Sequence, residues 1–257
     1  MALIKTDSKH YEDIANSIRA GLNNEDTLKP NEMGEKIIEV SSLKDKKPYV
    51  DTSGFTSLSY YFSDVTMNNE TFNNGNNLYI FEKMDTSKVT NWIGTFRSNT
   101  TFTELPEFNS DSAEAARNIF YGCTRMVTSP NFNFSKITNA NGIFAWCIKL
   151  ETIKGILDVS NVTSLSESFA QCKNLKNIRF VEGSIKATIS FSSSSLLTIE
   201  SLKSIINGLC DYSGTENEGV HKLSLHADSK ALLEAEGATA PNGLTWLEYI
   251  SAKGWTY

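Results

Sequence analysis

Phenylalanine returns along this chain at Phe72, Phe96, Phe120, Phe144, Phe169 and Phe191, in steps of 24, 24, 24, 25 and 22 residues. Six residues after each anchor stands an apolar side chain: Leu78, Phe102, Met126, Leu150, Leu175 and Leu197. Nine after the first five come Phe81, Leu105, Ser129, Ile153 and Ile178, with Ser129 the one polar member. Seven before five of the anchors are Val65, Val89, Ala113, Ile137 and Val162. A unit this short has one apolar face and buries it only against a neighbouring unit. The repeat therefore dictates the fold: each unit stacks on the next, and the core runs along the stack.

A fixed period of about 20–29 residues is the signature of a leucine-rich-repeat solenoid. The predicted class is α+β: a leucine-rich-repeat solenoid over 44–197, a helical segment over 1–43, and a small α/β cap over 198–257. The formal net charge of −6 argues against a broad basic nucleic-acid footprint and against docking on an anionic membrane. No run of about 18 apolar residues is present, so no membrane insertion is expected. The opening MALIKTDSKHYEDIANSIRAG lacks the apolar segment of a secretory signal, which predicts assembly in a bacterial cytoplasm. Cys123, Cys147 and Cys172 each lie three residues after an anchor, and Cys210 lies outside the array. One shared phase predicts buried free thiols facing one interior column. There is no CxxC, and no metal is expected.

Tyr11, Ile14, Ala15, Ile18 and Leu22 recur at helical spacing, and Pro30 opens a second helical stretch with Met33, Ile37, Ile38 and Val40. Two short amphipathic helices bury little alone and need a partner. The run from His10 to Val40 resembles the N-terminal segment shared by tail and baseplate proteins of bacteriophages of Gram-positive bacteria. Tyr11, Ile14, Ala15, Ile18, Arg19, then Lys29-Pro30-Asn31-Glu32-Met33 and Ile37, carry that likeness. It implies tail attachment through Tyr11, Ile14, Ile18, Arg19, Pro30, Met33 and Ile37. Without it, the same residues read as a helical hairpin capping the stack. Lys44–Pro48 is a charged linker, and Leu58–Phe62, with Tyr60 and Tyr61, looks like a degenerate first repeat.

The phrase Asp-x-Ser-x-Val-Thr occurs at Asp85–Thr90 and at Asp158–Thr163. Its Asp and Ser side chains can bond backbone N–H groups of a tight turn. With the anchor Phe, the Cys three residues on and the Leu after it, the unit resembles the BspA-like class of bacterial surface leucine-rich repeats. That likeness implies an extended contact surface without catalysis. It weakens at Arg97-Ser98-Asn99, where Asn replaces Cys, and at Ser110–Arg117, where different turn bonding is expected. Within each unit, Leu150–Ile156 predicts a short strand with its turn, and Val162–Phe169 a short helix or turn. Ser190–Ser195 reads as a last polar repeat, because Phe191 and Leu197 keep phase. Thr198 predicts a helix N-terminus, His221–His226 a strand, and Leu244–Ala252 a final helix before Lys253-Gly254-Trp255. This ending also resembles phage-encoded BspA-like proteins.

No nucleophile elbow, phosphate-binding loop, HExxH or calcium loop is present. His221 and His226 point to opposite faces of a strand and do not share a metal. A glycosidase pair among Glu82, Asp85, Glu104, Glu107, Asp111 and Glu114 stays open from sequence, but the expectation is a non-enzyme with no cofactor. Trp92, Tyr121 and Trp146 are candidate receptor-binding aromatics, the alternative being rings packed between repeats. Together these features predict a phage tail-tip or baseplate receptor-binding protein, located in the virion tail. Its expected partners are a bacterial cell-surface glycan or protein and other tail proteins, with a homotrimer favoured. The alternatives are a BspA-like bacterial adhesin and a structural tail component without receptor contact.

Overall fold

The computed structural model describes residues 54–59, 63, 85–100, 102–105, 107–236 and 240–257. Expectations placed on 1–43, on Tyr60, Tyr61, Val65, Phe72, Leu78 and Phe81 lie outside those residues.

Among the described residues regular elements are few: strands β1 (Ile189–Phe191) and β2 (Leu223–Leu225), and helices α1 (Ile199–Gly208), α2 (Ala227–Ala235) and α3 (Trp246–Ala252). Between Thr86 and Phe180 the backbone is satisfied from one unit to the next. Parallel bridges join Asn91 to Ala115, Glu104 to Thr128, Thr128 to Thr152, and Thr152 to Asn177. Around Phe96, Phe120 and Phe144 alternate N–H groups donate forward. Those of Trp92, Gly94, Phe96 and Ser98 bond the carbonyls of Ala115, Arg117, Ile119 and Tyr121. Those of Ala140, Gly142, Phe144 and Trp146 bond Ser164, Ser166, Ser168 and Ala170 in the same way. The N–H groups between them close turns within the unit, as Thr95 does on Trp92 and Asn99 on Phe96. The segment Leu150–Ile156 therefore contributes a bridge at Thr152 rather than a strand, and Val162–Phe169 holds a bridge at Ser164 followed by turns from Ser166.

Such turns place a residue with positive φ at their third position. It recurs two residues before and two after the four anchors from Phe96 to Phe169, at Gly94 and Ser98, Asn118 and Gly122, Gly142 and Trp146, and Glu167 and Gln171. At Gly142 the need is doubled, since a Cβ there would run into Asn118 Oδ1.

Inside, the anchors form one column. Successive rings of Phe96, Phe120, Phe144, Phe169 and Phe191 stack with centroids 5.6, 5.4, 6.1 and 4.6 Å apart. The flanking columns are buried as the spacing predicts: Met126, Leu150, Leu175 and Leu197 on one side, Val89, Ala113, Ile137 and Val162 on the other. Ser129 is buried too, and its Oγ donates to the Pro130 carbonyl and accepts from the Lys154 N–H. A polar atom thus takes an apolar slot without an unpaired group.

The ladder does not stop at Leu197. Ile185 bridges Leu209, β1 pairs parallel with β2, and Lys222 bridges Thr256. The helices are excursions between these rungs. In α1, Thr198 Oγ1 accepts from the Ser201 N–H, and Leu202, Ile205 and Ile206 turn inward. A reciprocal Thr245–Glu248 box starts α3. Helix α2 carries little periodic signal, burying only Ser229 and Leu233, and the spacing of apolar residues does not announce it.

Candidate interaction surface

The exposed side chains nearest the anchors follow from the turns. Burial takes the anchor, its preceding residue and the residue three on, so outward positions are set by phase. Trp146 sits two after its anchor with φ 64 and is 49% exposed. A left-handed backbone is unfavourable for a side chain with a Cβ, by about 1–2 kcal/mol, and the unit before it places Gly122 there. Ile148 is exposed beside it, and Tyr121, half-buried one unit earlier, lies under the Arg97 guanidinium at 5.2 Å.

Trp92 is a correction. It is 1% exposed, its Nε1 donates to the Val89 carbonyl at 3.0 Å, and its ring stacks on Phe108 at 4.8 Å. It packs between units and cannot meet a receptor. Its position four before the anchor is an inward one, filled by Ala116, Ala140 and Leu165 in later units, all buried.

The cysteines form an interior ladder. Cys123 Sγ donates to the Phe96 carbonyl at 3.1 Å, Cys147 to Phe120 at 3.0 Å, and Cys172 to Phe144 at 3.1 Å. Ser194, in the same phase, donates to the Cys172 carbonyl at 3.0 Å. All four cysteines are free, and only Cys210 reaches partial exposure. Burial pushes the Cys147 thiol well above the usual range and Cys172 up to about 12, so these sulfurs stay protonated donors.

The turn phrase bonds as expected. Asp85 Oδ1 accepts from the Ser87 N–H and Asp158 Oδ1 from the Ser160 N–H, both at 3.0 Å. At Ser110–Arg117 the backbone bond of the turn is kept, and what differs is the hydroxyl bond that Ser135 and Ser160 add, since Asp111 stands in their place. Asn109 takes the Asp role, accepting from the Asp111 N–H at 2.9 Å, and Asn133 repeats it on Ser135 at 3.0 Å. The phrase there begins one residue earlier than the reading from Ser110 allows, with Asn in place of Asp.

A groove of about 490 Å³ on another side is lined by Glu107, Asp111, Asn131, Asn133, Ile156 and Asp158. Glu107 accepts from the Asn131 N–H and from Lys154, and Asp111 accepts from Asn133 Nδ2. These carboxylates hold the units together. His221 lies among the rings of Tyr212 and Trp255, and His226 caps α2, so the two serve different contacts. Among the described residues no three His, Cys, Asp or Glu side chains are grouped to hold a metal ion.

Charge was legible only in sum. The exposed cations Arg117, Arg125, Lys149 and Lys173 were missed, and sorting charged residues by their distance from the anchor Phe is the signal that finds them.

A family model described as "Mycoplasma protein of unknown function, DUF285" matches residues 33–152 and, in a second overlapping match, 128–181. The matches span more than half of the chain, and the chain belongs to this family. The match agrees with the BspA-like resemblance of the repeat and carries no link to phage tails. No curated protein and no solved structure matches the chain.

Proposed function

We propose that this chain is a non-catalytic contact protein, a leucine-rich-repeat-type stack that presents one edge to a bacterial cell surface. The carrying observation is the half-exposed Trp146 indole with Ile148 exposed beside it, on an array whose anchor Phe column and flanking columns are buried. The N-terminal likeness extends the reading: residues 1–43 mount the array on a phage tail tip or baseplate, as a homotrimer, and the virion tail is its location. Weak contacts multiplied over copies would give strong attachment.

The test is direct. The full chain should bind host cells and compete with the particle, and a chain lacking 1–43 should still bind cells but not join the particle. If the full chain binds neither cells nor cell-wall polymers, the reading is lost. The family description favours a second reading, since it refers to a cellular organism. A BspA-like adhesin would be exported, and finding the full-length protein on the outside of the producing cell would select it.

A further inference from the structure

Net charge hides how the charges are arranged. Take, in each described unit between Asp85 and Phe180, the arc from three residues before the anchor Phe to five after it. Its charged residues are Arg97, Arg117, Arg125, Lys149 and Lys173 against Glu167 alone, five cations to one anion. The remaining positions carry Asp85, Glu104, Glu107, Asp111, Glu114, Glu151 and Asp158 against five cations, Lys88, Lys136, Lys154, Lys176 and Arg179. The chain is acidic overall and basic along one edge.

The two sides also differ in what their charges do. On the acidic side Lys154 pairs with Glu104 at 2.8 Å and Glu107 at 3.1 Å, and Lys176 with Glu151 at 2.9 Å. Among the described residues no carboxylate lies within ion-pair distance of any of the five edge cations. Arg97 stands over the Tyr121 ring, and Arg117, Arg125, Lys149 and Lys173 are exposed. Cations left unneutralised in a chain with excess carboxylate are available to an external anion.

The fold turns these cations into a row. The edge residues of one unit bond the next directly: the Ser98 N–H meets the Tyr121 carbonyl, Gly122 meets Ala145, Trp146 meets Ala170, and Asn174 Nδ2 meets Ile148. Parallel rungs are about 4.8 Å apart, so each step along the axis brings a further cation. Four successive units contribute, and Trp146 stands among them half-exposed. No aromatic ring among the described residues packs on it. Guanidinium and ammonium groups at short repeat with one bare indole match a linear polymer carrying an anion on each unit and an apolar sugar or polyol face between anions.

We infer that the anchor-side edge, from Arg97 through Arg125, Trp146 and Lys149 to Lys173, is a binding track for a linear polyanion built of sugar or polyol units. This rests on the proposed contact function and gives its ligand a chemical class. The anion is a phosphodiester or a carboxylate, and the polymer lies along the stack axis. Single-stranded nucleic acid shares the charge, but its spaced bases call for several stacking rings, and the described edge offers Trp146 as its one half-exposed indole.

The test uses the full chain with three probes: poly(glycerol phosphate), polygalacturonate and neutral dextran. Binding to one or both anionic polymers is expected, with log affinity falling linearly as log salt rises, and none to dextran. Preference between the first two distinguishes phosphate from carboxylate. The double substitution R125E/K149E should weaken binding by roughly tenfold or more at low salt. W146G should weaken it about fivefold while changing the salt slope little. The control K136E/R179E, equal in charge but off the edge, should bind as the parent does. Equal losses for both doubles would reduce the effect to net charge and overturn the track. So would absence of binding to either polyanion, or tighter binding to a single-stranded oligonucleotide of equal charge. If the parent and R125E/K149E bind host cells equally, the contact function stands and the track fails. If neither binds cells, the contact function itself fails.

Discussion

Lys253 Nζ lies 2.8 Å from the carbonyl oxygen of Leu209, and the same ammonium donates to Asn207 at 3.1 Å and Ile206 at 3.3 Å. Helix α1 has no basic residue in its own last turn. A lysine more than forty residues away in sequence supplies the charge that its C-terminal carbonyls call for. Burial holds this ammonium below the usual lysine range. Its neighbours act with it. Gly254, at φ 77, passes so close to Tyr212 that a Cβ would lie 2.9 Å from the carbonyl carbon, and Trp255 Nε1 donates to Cys210 at 2.8 Å. The closing Lys-Gly-Trp is thus a lock on the end of the stack. Lys253→Met should lower stability by about 2–3 kcal/mol, because three carbonyls lose a charged donor. Urea denaturation followed by circular dichroism checks it, and a loss under about 0.5 kcal/mol would remove the lock.

The thiol ladder makes a different prediction. Cys147→Ser keeps a donor for the Phe120 carbonyl and should cost less than Cys147→Ala, which loses the donor and leaves a void, by about 1 kcal/mol. The thiols also set an alkaline limit. An unfolded chain releases thiol protons from about pH 8.5, whereas native Cys172 holds its proton to about 12. Between those values the native state binds more protons than the unfolded one, so stability falls as pH rises. Below about pH 8.5 this contribution is fully present. Denaturation midpoints at pH 7.5, 9.5 and 10.5 should fall for the parent and fall less for Cys172→Ser. Iodoacetamide at pH 8 should label Cys210 first, the three ladder thiols only after unfolding.

How far the sequence spoke depends on which groups carry the signal. The anchors and their apolar companions were legible because side-chain burial repeats with the unit, and Phe120, Phe144 and Phe169 stand where the spacing puts them. The turns were legible where Asp or Gly marks them and misread at Asn109, where Asn does the same work under a different letter. Trp92 was misplaced because a lone tryptophan says nothing of direction until its phase is compared with Ala116, Ala140 and Leu165. The basic edge was invisible to composition, since opposite charges on two sides of one unit cancel in the sum.

That misreading at Asn109 is itself testable. If Asn109 closes the turn, Asn109→Ala should cost about 1 kcal/mol, close to the loss of a capping or turn bond. Asp111→Ala should cost less, because its carboxylate accepts a single exposed bond from Asn133 Nδ2 at 3.0 Å. Thermal melts of the two variants at equal pH decide it. The reverse order would restore the phrase to the register beginning at Ser110.

The two tryptophans of the array should respond in opposite ways to the same kind of change. Trp92 is buried against Phe108 and Phe132, with its indole N–H satisfied. Removing it in Trp92→Ala opens a large void, with an expected loss of about 3–5 kcal/mol. Trp146 stands half in solvent on a left-handed backbone that glycine adopts freely. In Trp146→Gly, relief of that strain offsets the lost ring contacts and the greater freedom of the unfolded chain, so stability should stay within about 1 kcal/mol of the parent. Gly142→Ala, at a left-handed position of the same unit, runs the argument backwards. It adds a Cβ against Asn118 and should cost about 1–2 kcal/mol. Chemical denaturation of the three variants tests the set together. Iodide quenching adds an independent reading, since Trp146→Gly should remove most of the quenchable emission that the array contributes, and a large stability loss in that variant would show its indole to be part of the packing.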